Sequence, residues 1–342
     1  MKLKNNYHIA VVGAGVVGVE MIRVLRQRNF PIEKIKVLAR SARAMTVDGQ
    51  TYQVEPISAE SFNGVDIALF AGTEGEKGAA VTFAAEAVKR GCVVIDNGAD
   101  FRMEKDVPLV VPEVNGNDVK KHKGIIANPN CSTIQMVVAL APIHKKVGIK
   151  RIIVTTLQAS SGAGKAAVEQ LKEEISMIAS GGFNNVHVNT TNKAMSQQLA
   201  YNVFPHIGGF VEGDYTSEEW KLVKETHKIM HDNKIKISAT TVRVPVRTGH
   251  SESVYIETRK PITVAAIKKL LLKAPGVILV DDPKAALYPM PKDVEGKDET
   301  FVGRIRQDAF IKNGFWLWVV ADNLRKGAAS NAVQIAEVLI KK

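Results

Sequence analysis

His8-Ile9-Ala10-Val11-Val12-Gly13-Ala14-Gly15-Val16-Val17-Gly18 is the stretch that decides the fold of this chain. An apolar, strand-like run leads into glycines with GxGxxG spacing, and a helical pattern follows them. Gly13 permits the tight turn, Gly15 lets a pyrophosphate approach the backbone, and Gly18 allows the helix to pack closely on the strand. In this context the motif predicts a βαβ unit that binds a dinucleotide.

Short apolar runs and helical patterns alternate through the first third of the chain. The predicted strands cover residues 8–12, 35–39, 65–70 and 93–96, and the predicted helices cover 16–29 and 77–90. This alternation is typical of a parallel, doubly wound α/β sheet. We therefore expect an N-terminal Rossmann-like domain.

The pattern changes after Cys131. Strands are predicted at 151–157, 235–246, 253–258 and 315–320, with a helix at 165–178. This mixture indicates a second, α+β domain around a mostly antiparallel sheet. A final helix at 328–340 is expected to pack back on the first domain. The predicted domains are therefore 1–130 together with about 322–342, and 131–321.

Length and composition suit a globular protein of about two domains, with 342 residues of which 45% are hydrophobic. No apolar run reaches the ~18 residues of a membrane span, and no cationic-then-apolar leader occurs, so we expect a soluble protein without a signal peptide. The two cysteines need no disulfide framework, which favours a reducing cytoplasm.

The formal net charge is +11, from 46 basic and 35 acidic residues. A basic balance suits nucleic acid or small anionic ligands. The lysines, however, are scattered along amphipathic helices, and no basic stripe is interleaved with aromatic residues. A solvated surface explains most of the excess, small phosphorylated ligands explain it next best, and nucleic acid least. We expect no nucleic-acid partner.

The end of the second strand selects the dinucleotide. An NAD enzyme usually has Asp or Glu there to hold the ribose 2′-hydroxyl, whereas this chain has Arg40-Ser41-Ala42-Arg43. Two guanidinium groups beside a serine suit a 2′-phosphate by charge and by bidentate geometry. The segment therefore favours NADP, and a surface loop with ordinary arginines is the alternative.

Asn128-Pro129-Asn130-Cys131-Ser132-Thr133 runs directly into the apolar segment 134–140. The turn residues predict a helix that begins near Cys131, beside the first backbone N–H groups. Those donors and the positive end of the helix dipole favour a thiolate and can hold an anion or an oxyanion. The sequence thus predicts a nucleophilic cysteine, with a buried structural cysteine as the alternative.

Three further segments have the composition of site loops. The strand ending at Leu157 is followed by Gln158 and a Ser/Gly loop that opens a helix, which offers donors to an anion. Arg243 lies mid-strand among apolar neighbours and needs an anionic partner. His250 follows a glycine turn and is a candidate for acid/base chemistry, or else an ordinary surface histidine. Arg102 follows the strand ending at Asp96 and is a plausible second anion clamp.

With these segments in view, the chain resembles aspartate-semialdehyde dehydrogenase, particularly its Gram-positive-type branch, almost from end to end. Several separate motifs occur in the family's order. They are 129–135, Gln158 with 161–164, 218–221, 243–253, 300–306 and 318–337.

The resemblance implies an NADP-binding domain followed by a catalytic and dimerisation domain. It implies reduction of L-aspartyl-4-phosphate by NADPH to L-aspartate 4-semialdehyde and phosphate, through a cysteine thioester. This reaction belongs to lysine, threonine, methionine and diaminopimelate biosynthesis. A homodimer or homotetramer is implied as well, and no metal is expected.

Site residues carry over position by position. Cys131 would be the nucleophile, His250 the acid/base, and Gln158 the group that orients the intermediate. Arg243 would bind the substrate α-carboxylate and Glu218 its ammonium. The phosphate ligands would be Arg102, Lys221 and Asn130. The cofactor contacts would be Gly13, Ala14, Gly15, Val16, Gly18, Arg40, Ser41, Arg43, Ser161, Gly162 and Asn323.

The chain departs from the family pattern in three places. The first glycine loop lacks one residue of the usual Gly-Ala-Thr-Gly pattern. A Ser-rich loop is replaced by residues 71–77, and residues 97–100 lack the usual hydroxyl groups. The last two segments are expected near the nicotinamide and the phosphate, so they bear on cofactor preference and turnover.

Two other functions are close to this one. The related N-acetyl-glutamyl-phosphate reductase uses the same cysteine chemistry, but Glu218 would be misplaced against an acetamide. A non-catalytic homologue would be expected to have lost Cys131 or His250, and both are present.

Overall fold

A computed structural model describes residues 3–72, 78–181 and 194–341. The chain forms two compact units. The first contains Met1–Ile134, Lys228–Met230 and Gly327–Lys342, and the second contains Gln135–His227 and His231–Lys326. The helices are α1 (Val16–Gln27), α2 (Ala79–Lys89), α3 (Pro112–Asn115), α4 (Cys131–Val147), α5 (Lys165–Ala179), α6 (Ser217–Met230), α7 (Val264–Leu271), α8 (Pro291–Val294) and α9 (Ser330–Ile340).

One seven-stranded sheet forms the centre of the first unit. Its strands are β1 (Tyr7–Val12), β2 (Ile32–Ala39), β3 (Arg43–Val47), β4 (Gln50–Pro56), β5 (Ile67–Phe70), β6 (Val93–Asp96) and β7 (Ile125–Ala127). The order is β3-β4-β2-β1-β5-β6-β7, and every neighbouring pair is parallel except β3 with β4. The predicted Rossmann-like parallel sheet is confirmed. Its ligand crevice is expected where the order reverses, beyond the carboxyl ends of β1 and β5.

Alternate residues of β1 enter two different cores. Ile9 and Val11 belong to a cluster with residues of α1 and α9, whereas Ala10 belongs to a cluster with alanines of α2. Strand side chains point to opposite faces in turn, so a strand that is apolar at every position is covered on both faces. Burial on both faces of the sheet therefore explains why β1 is apolar at nearly every position.

The second unit contains a six-stranded sheet. Its strands are β8 (Ile149–Gln158), β9 (Lys236–Arg243), β10 (His250–Thr258), β11 (Val277–Leu279), β12 (Thr300–Gln307) and β13 (Gly314–Ala321). The order is β11-β12-β13-β10-β8-β9. The two outer pairs are parallel and the three inner pairs are antiparallel. Val254 lies between Val154 and Leu317 in one buried stripe of the central strands. The predicted α+β character is confirmed.

Sequence analysis missed the hairpin of β3 and β4 and placed Arg43 directly after the second strand, with a surface loop as the alternative. Arg43 is the first residue of β3. Asp48 and Gly49 both have positive φ, of 47° and 83°, and join the two strands. An Asp-Gly pair between strand-like runs is a strong hairpin signal, so the sequence did contain the information.

Two predicted strand boundaries in the second unit are wrong. β9 ends at Arg243 and does not continue to Val246, because Pro245 lacks a backbone N–H and restricts the residue before it. β10 begins at His250, three residues earlier than predicted. Arg243 is therefore a strand-end residue, not a mid-strand one, and His250 lies within a strand.

The helix predicted for residues 77–90 is observed as α2. Residues 73–77, which contain most of the altered loop, lie outside the described residues. Among the helices that the structure describes, none is long and apolar enough to cross a membrane.

Candidate active site

The glycine loop of the first unit is shaped by sterics. Gly13 has φ +109°, which a residue with a side chain rarely adopts. A Cβ on Gly18 would lie 1.8 Å from the carbonyl oxygen of Gly13, so any side chain there would separate helix from strand. A Cβ on Gly15 would meet no atom within 4 Å. The loop thus has no room for a side chain at Gly18, whereas the space beside Gly15 is open to a ligand.

The N-terminus of α1 follows this loop directly. Gly15 is its cap, and over this fully described first turn there is no side-chain cap hydrogen bond and no acidic residue. The first N–H groups of a helix lack intrahelical partners and carry the positive end of its dipole. This end of α1 can accept a phosphate group.

Arg40, Ser41 and Arg43 are exposed beyond the end of β2. Arg43 reaches back to the glycine loop, since its Nη2 donates to the carbonyl oxygen of Ala14 at 3.4 Å. One of the two arginines predicted to select the cofactor therefore lies against the predicted cofactor loop.

Cys131 is the first residue of α4 and is partly exposed. Asn130 caps this helix, because its Oδ1 accepts hydrogen bonds from the N–H groups of Ser132 at 3.0 Å and Thr133 at 3.3 Å. Two of the donors that sequence analysis offered to an anion are therefore occupied by the Asn130 side chain. The dipole of a helix with 17 residues still favours the thiolate form of a cysteine at this position.

Arg102 is buried at 5% exposure beside the turn that leads to Cys131. Its Nε donates to the carbonyl oxygen of Asn128 at 3.0 Å, and its Nη2 donates to that of Asn97 at 2.7 Å. These two carbonyls follow β6 and β7, at the carboxyl edge of the sheet. The guanidinium is thereby fixed where ligands of parallel sheets bind.

The second unit brings together residues from the ends of its strands. Gln158 ends β8, Arg243 ends β9, and the two are direct partners in the parallel register. Both are buried, at 1% and 4% exposure. Arg243 Nη1 donates to the carbonyl oxygen of Ala159 at 2.5 Å.

Glu218 joins the same cluster from the first turn of α6. One of its carboxylate oxygens accepts a hydrogen bond from Gln158 Nε2 at 3.1 Å, and the other lies 3.5 Å from the Nζ of Lys221, one turn along the helix. A buried carboxylate needs such partners. Glu218 therefore contacts two other predicted site residues directly, Gln158 and Lys221.

His250 is buried at 1% exposure. Its Nδ1 accepts a hydrogen bond from the backbone N–H of Ala159 at 3.0 Å, so the proton of the neutral ring lies on Nε2. Nε2 has no hydrogen-bond partner among the described residues. Burial, and secondarily the charge of Arg243, lowers the pKa of His250 well below its ordinary value, so the imidazole is neutral at pH 7.

Ser161, Gly162 and Asn323 lie around this histidine. A Cβ on Gly162 would be 3.1 Å from His250 Nε2 and 3.2 Å from Arg243 Nη1, so a side chain there would require these two groups to shift. Asn323 Nδ2 donates to Ser161 Oγ at 2.9 Å, and Asn323 Oδ1 accepts from the N–H of Gly249 at 2.9 Å. Two predicted cofactor contacts, Ser161 and Asn323, are thus hydrogen-bonded to each other. Asn323 is also hydrogen-bonded to Gly249, the residue before His250.

Sequence reasoning gave no role to two other buried polar residues. Gln135 Nε2 donates to the carbonyl oxygen of His250 at 3.3 Å. Glu252 lies two residues after His250 on the same face of β10 and is fully buried. Burial raises the pKa of Glu252 well above its ordinary value, with Gln135 acting in the opposite direction. Because side chains alternate between the two faces of a strand, Glu252 and His250 had to share one face of β10. This pattern could have pointed to Glu252 from the sequence.

The described residues contain no group of three or more His, Cys, Asp or Glu side chains that could hold a metal ion.

Two family models match the chain. One is described as semialdehyde dehydrogenase, NAD binding domain, and matches residues 8–122. The other is described as semialdehyde dehydrogenase, dimerisation domain, and matches residues 140–326. The chain is 52% identical to aspartate-semialdehyde dehydrogenase of Aquifex aeolicus, over 98% of both chains. It is 51% identical to that of Bacillus subtilis, over 98% of this chain and 97% of the relative.

Solved structures give the same likeness. Aspartate semialdehyde dehydrogenase II from Vibrio cholerae, complexed with ASA, is 43% identical with a TM-score of 0.92, over 98% of this chain and 99% of that one. Aspartate semialdehyde dehydrogenase with NADP from Candida albicans is 26% identical with a TM-score of 0.72, over 98% of both chains.

Proposed function

The chain belongs to the aspartate-semialdehyde dehydrogenase family, and we propose that it reduces L-aspartyl-4-phosphate to L-aspartate 4-semialdehyde with NADPH. The product feeds the biosynthesis of lysine, threonine, methionine and diaminopimelate in the proposed role. The resemblance derived from the sequence is confirmed by these comparisons. The residue roles below belong to the proposal.

Cys131 is the nucleophile of the proposed reaction. Its thiolate attacks the acyl carbon of aspartyl phosphate, the C–O bond to phosphate breaks, and a thioester and inorganic phosphate are formed. The position at the N-terminus of α4 supports this role, because the helix dipole stabilises a thiolate. The proposed phosphate ligands are Arg102, Lys221 and Asn130. The Oδ1 of Asn130 caps α4, so only the Nδ2 group of this side chain is proposed as a donor to phosphate.

His250 is the proposed acid/base of the second half-reaction. A bound nicotinamide would supply the hydride that reduces the thioester carbon. His250 donates its Nε2 proton to the oxygen as the thiohemiacetal forms and takes the proton back as the adduct collapses. The C–S bond then breaks, the aldehyde leaves, and Cys131 is released as the thiolate. The Ala159 N–H bond to Nδ1 supports this role, because it leaves the ring proton on Nε2. Gln158 orients the adduct.

Arg243 and Glu218 are the proposed ligands of the parts of the substrate that do not react. A guanidinium matches an α-carboxylate in a bidentate pair, and a carboxylate matches an α-ammonium. Their burial strengthens both interactions. The shared contact of Glu218 with Gln158 supports a single binding site for both ends of the amino acid.

NADP is the proposed cofactor. The residues fit a dinucleotide, since Gly18 admits no side chain, Gly15 faces open space and the N-terminus of α1 offers donors. Arg40 and Arg43 would hold the 2′-phosphate, and the contact of Arg43 with Ala14 supports a shared binding surface. The remaining proposed contacts are Gly13, Ala14, Val16, Ser41, Ser161, Gly162 and Asn323.

We propose a homodimer or homotetramer in the cytoplasm. The match to a dimerisation domain supports self-association. One face of the second sheet carries Ile153 at 41% exposure and the partly exposed Trp316, whose ring contacts the buried ring of Tyr255. Exposed apolar surface of this kind suits a second copy of the chain. The two cysteines, without a disulfide between them, suit a reducing compartment.

The observation that carries the proposal is the cluster of Gln158, Arg243 and His250 at adjoining strand ends. Phosphate-dependent reduction of NADP by aspartate semialdehyde tests it directly, with N-acetylglutamate semialdehyde measured in parallel. We expect turnover of the first substrate and little of the second. The reverse preference would assign the chain to N-acetyl-glutamyl-phosphate reductase, and no turnover of either would reject both enzymes.

Arg243→Lys is expected to lower kcat/KM for aspartate semialdehyde by about 10–100-fold, because lysine keeps the charge but loses the planar pair of donors. Steady-state kinetics measures the effect. Arg247→Lys is the matched control, since Arg247 is exposed and paired with Glu295 on the surface. Wild-type kinetics for Arg243→Lys would mean that the carboxylate binds elsewhere.

The double variant Arg40→Ala and Arg43→Ala is expected to weaken NADP binding about a hundredfold while NAD binding changes little, since two charge-assisted hydrogen bonds are lost. Isothermal titration with both cofactors measures this. Replacing the exposed lysines Lys120 and Lys121 with alanine removes the same net charge and serves as the control. Equal losses for NAD and NADP would reject the 2′-phosphate assignment.

A further inference from the structure

Lys228 lies near the end of α6, and it belongs to the first unit. Its Nζ donates to three main-chain carbonyl oxygens, those of Arg102 at 2.7 Å, Glu104 at 2.8 Å and Val107 at 2.8 Å. An ammonium group has three N–H donors, so all three are used on one short segment. We call residues 102–107 the Arg102 turn.

The Arg102 turn has few interactions of its own. Residues 103–106 are exposed. Two hydrogen bonds that end within the turn are long, from the N–H of Glu104 to Phe101 at 3.2 Å and from the N–H of Val107 to Glu104 at 3.3 Å. Lys228 binds the first, a middle and the last residue of the segment. A charged donor gives stronger hydrogen bonds than a neutral one, so this side chain strongly restrains the path of the turn.

The path of the turn decides where the guanidinium of Arg102 lies. Its Nε and Nη2 donate to the carbonyls of Asn128 and Asn97, which requires the main chain of Arg102 to stay in place. Asn128 lies two residues before Asn130, the cap of the helix that begins with Cys131. Contacts within one unit thus run from Lys228 to the turn before the nucleophile.

We propose that Lys228 is a positioning residue for the anion site at Arg102, holding the turn so that the guanidinium meets the phosphate group. This rests on the proposed function, in which Arg102 is a phosphate ligand. Lysine suits the task because its compact ammonium can serve three carbonyls that converge on one point, whereas the planar donors of arginine diverge.

Lys228→Met tests the proposal, with Lys224→Met as the matched control. Lys224 lies one turn earlier on α6, is exposed, and contacts the ring of Trp220. In Lys228→Met we expect hydrogen exchange of the Glu104 and Val107 amides to be about tenfold faster, as hydrogen bonds of the turn are lost. We expect the KM for phosphate in semialdehyde oxidation to rise about tenfold, with the KM values for semialdehyde and NADP within about twofold.

A double variant separates positioning from a general loss of structure. If Lys228 acts through Arg102, adding Lys228→Met to Arg102→Ala should not raise the phosphate KM further. Lys228→Arg, which keeps the charge and some donors, should give intermediate exchange rates and an intermediate KM. Lys224→Met should match wild type in every measurement.

Three results would overturn the proposal. The first is an unchanged rate of amide hydrogen exchange in the Arg102 turn of Lys228→Met, and the second is an equal rise of the KM values for phosphate, semialdehyde and NADP. The third is a phosphate KM in the double variant that shows the full effects of Lys228→Met and Arg102→Ala combined. If the wild type shows no phosphate-dependent activity, the proposed function fails. Calorimetric titration of the NADP-bound protein with inorganic phosphate then tests Lys228 separately. Binding by wild type that Lys228→Met leaves unchanged, or no phosphate binding at all, would overturn the positioning role.

Discussion

Cys131→Ser is expected to abolish semialdehyde oxidation, by about 10⁴-fold or more, while NADP binding stays at its wild-type strength. The serine hydroxyl resembles the thiol in shape, although oxygen is smaller than sulfur, but it lacks an accessible anion near neutral pH. The helix dipole at the start of α4 can stabilise a thiolate that already forms readily, but it cannot ionise an alcohol. Steady-state rates and calorimetric titration with NADP measure the two parts of this prediction.

Cys92→Ala is the matched control for this variant. Burial raises the pKa of the Cys92 thiol to about 12, so this second cysteine cannot supply a thiolate at neutral pH. We expect the Cys92 variant to retain most of the activity. Retention of a tenth of the wild-type rate by Cys131→Ser, or loss of activity in Cys92→Ala without loss of folding, would remove Cys131 as the nucleophile.

His250→Asn is expected to lower kcat by about 10²–10⁴-fold with little change in KM, the effect of losing proton transfer. Asparagine can still accept the hydrogen bond from Ala159 N–H but has no group that exchanges a proton near neutral pH. His144→Asn is the control, because the Nδ1 of His144 also accepts a backbone N–H, from Ile149 at 3.0 Å. An unchanged kcat in His250→Asn would make His250 structural.

The buried environment of His250 also predicts how the stability of the protein depends on pH. Burial, with Arg243 as the second cause, lowers the folded-state pKa of His250 below its unfolded value. Protonation therefore opposes folding, and stability should fall as the pH decreases through about 6.5, where the unfolded histidine takes up its proton. Comparing urea unfolding of wild type and His250→Asn between about pH 5 and 8 checks the sign, since the variant should lack this part of the slope.

The sequence by itself determined the features that depend on neighbouring residues. The GxGxxG spacing after an apolar strand fixed the βαβ unit, because turn geometry and close packing leave no alternative to glycine at Gly13 and Gly18. Turn residues before an apolar segment fixed the start of α4 at Cys131. The Asp48-Gly49 hairpin was local too, and a closer inspection of that pair would have predicted it.

Only the tertiary structure shows how the candidate site residues are arranged and which hydrogen bonds they make. The register that pairs Gln158 with Arg243, and the hydrogen bond that fixes the tautomer of His250, join residues 85 and 91 positions apart. The attachment of the Arg102 turn to Lys228 also had no signal in the sequence. Backbone donors and acceptors are the same at nearly every residue, so no side-chain pattern shows which of them will meet. Packing of whole strands and helices makes that choice.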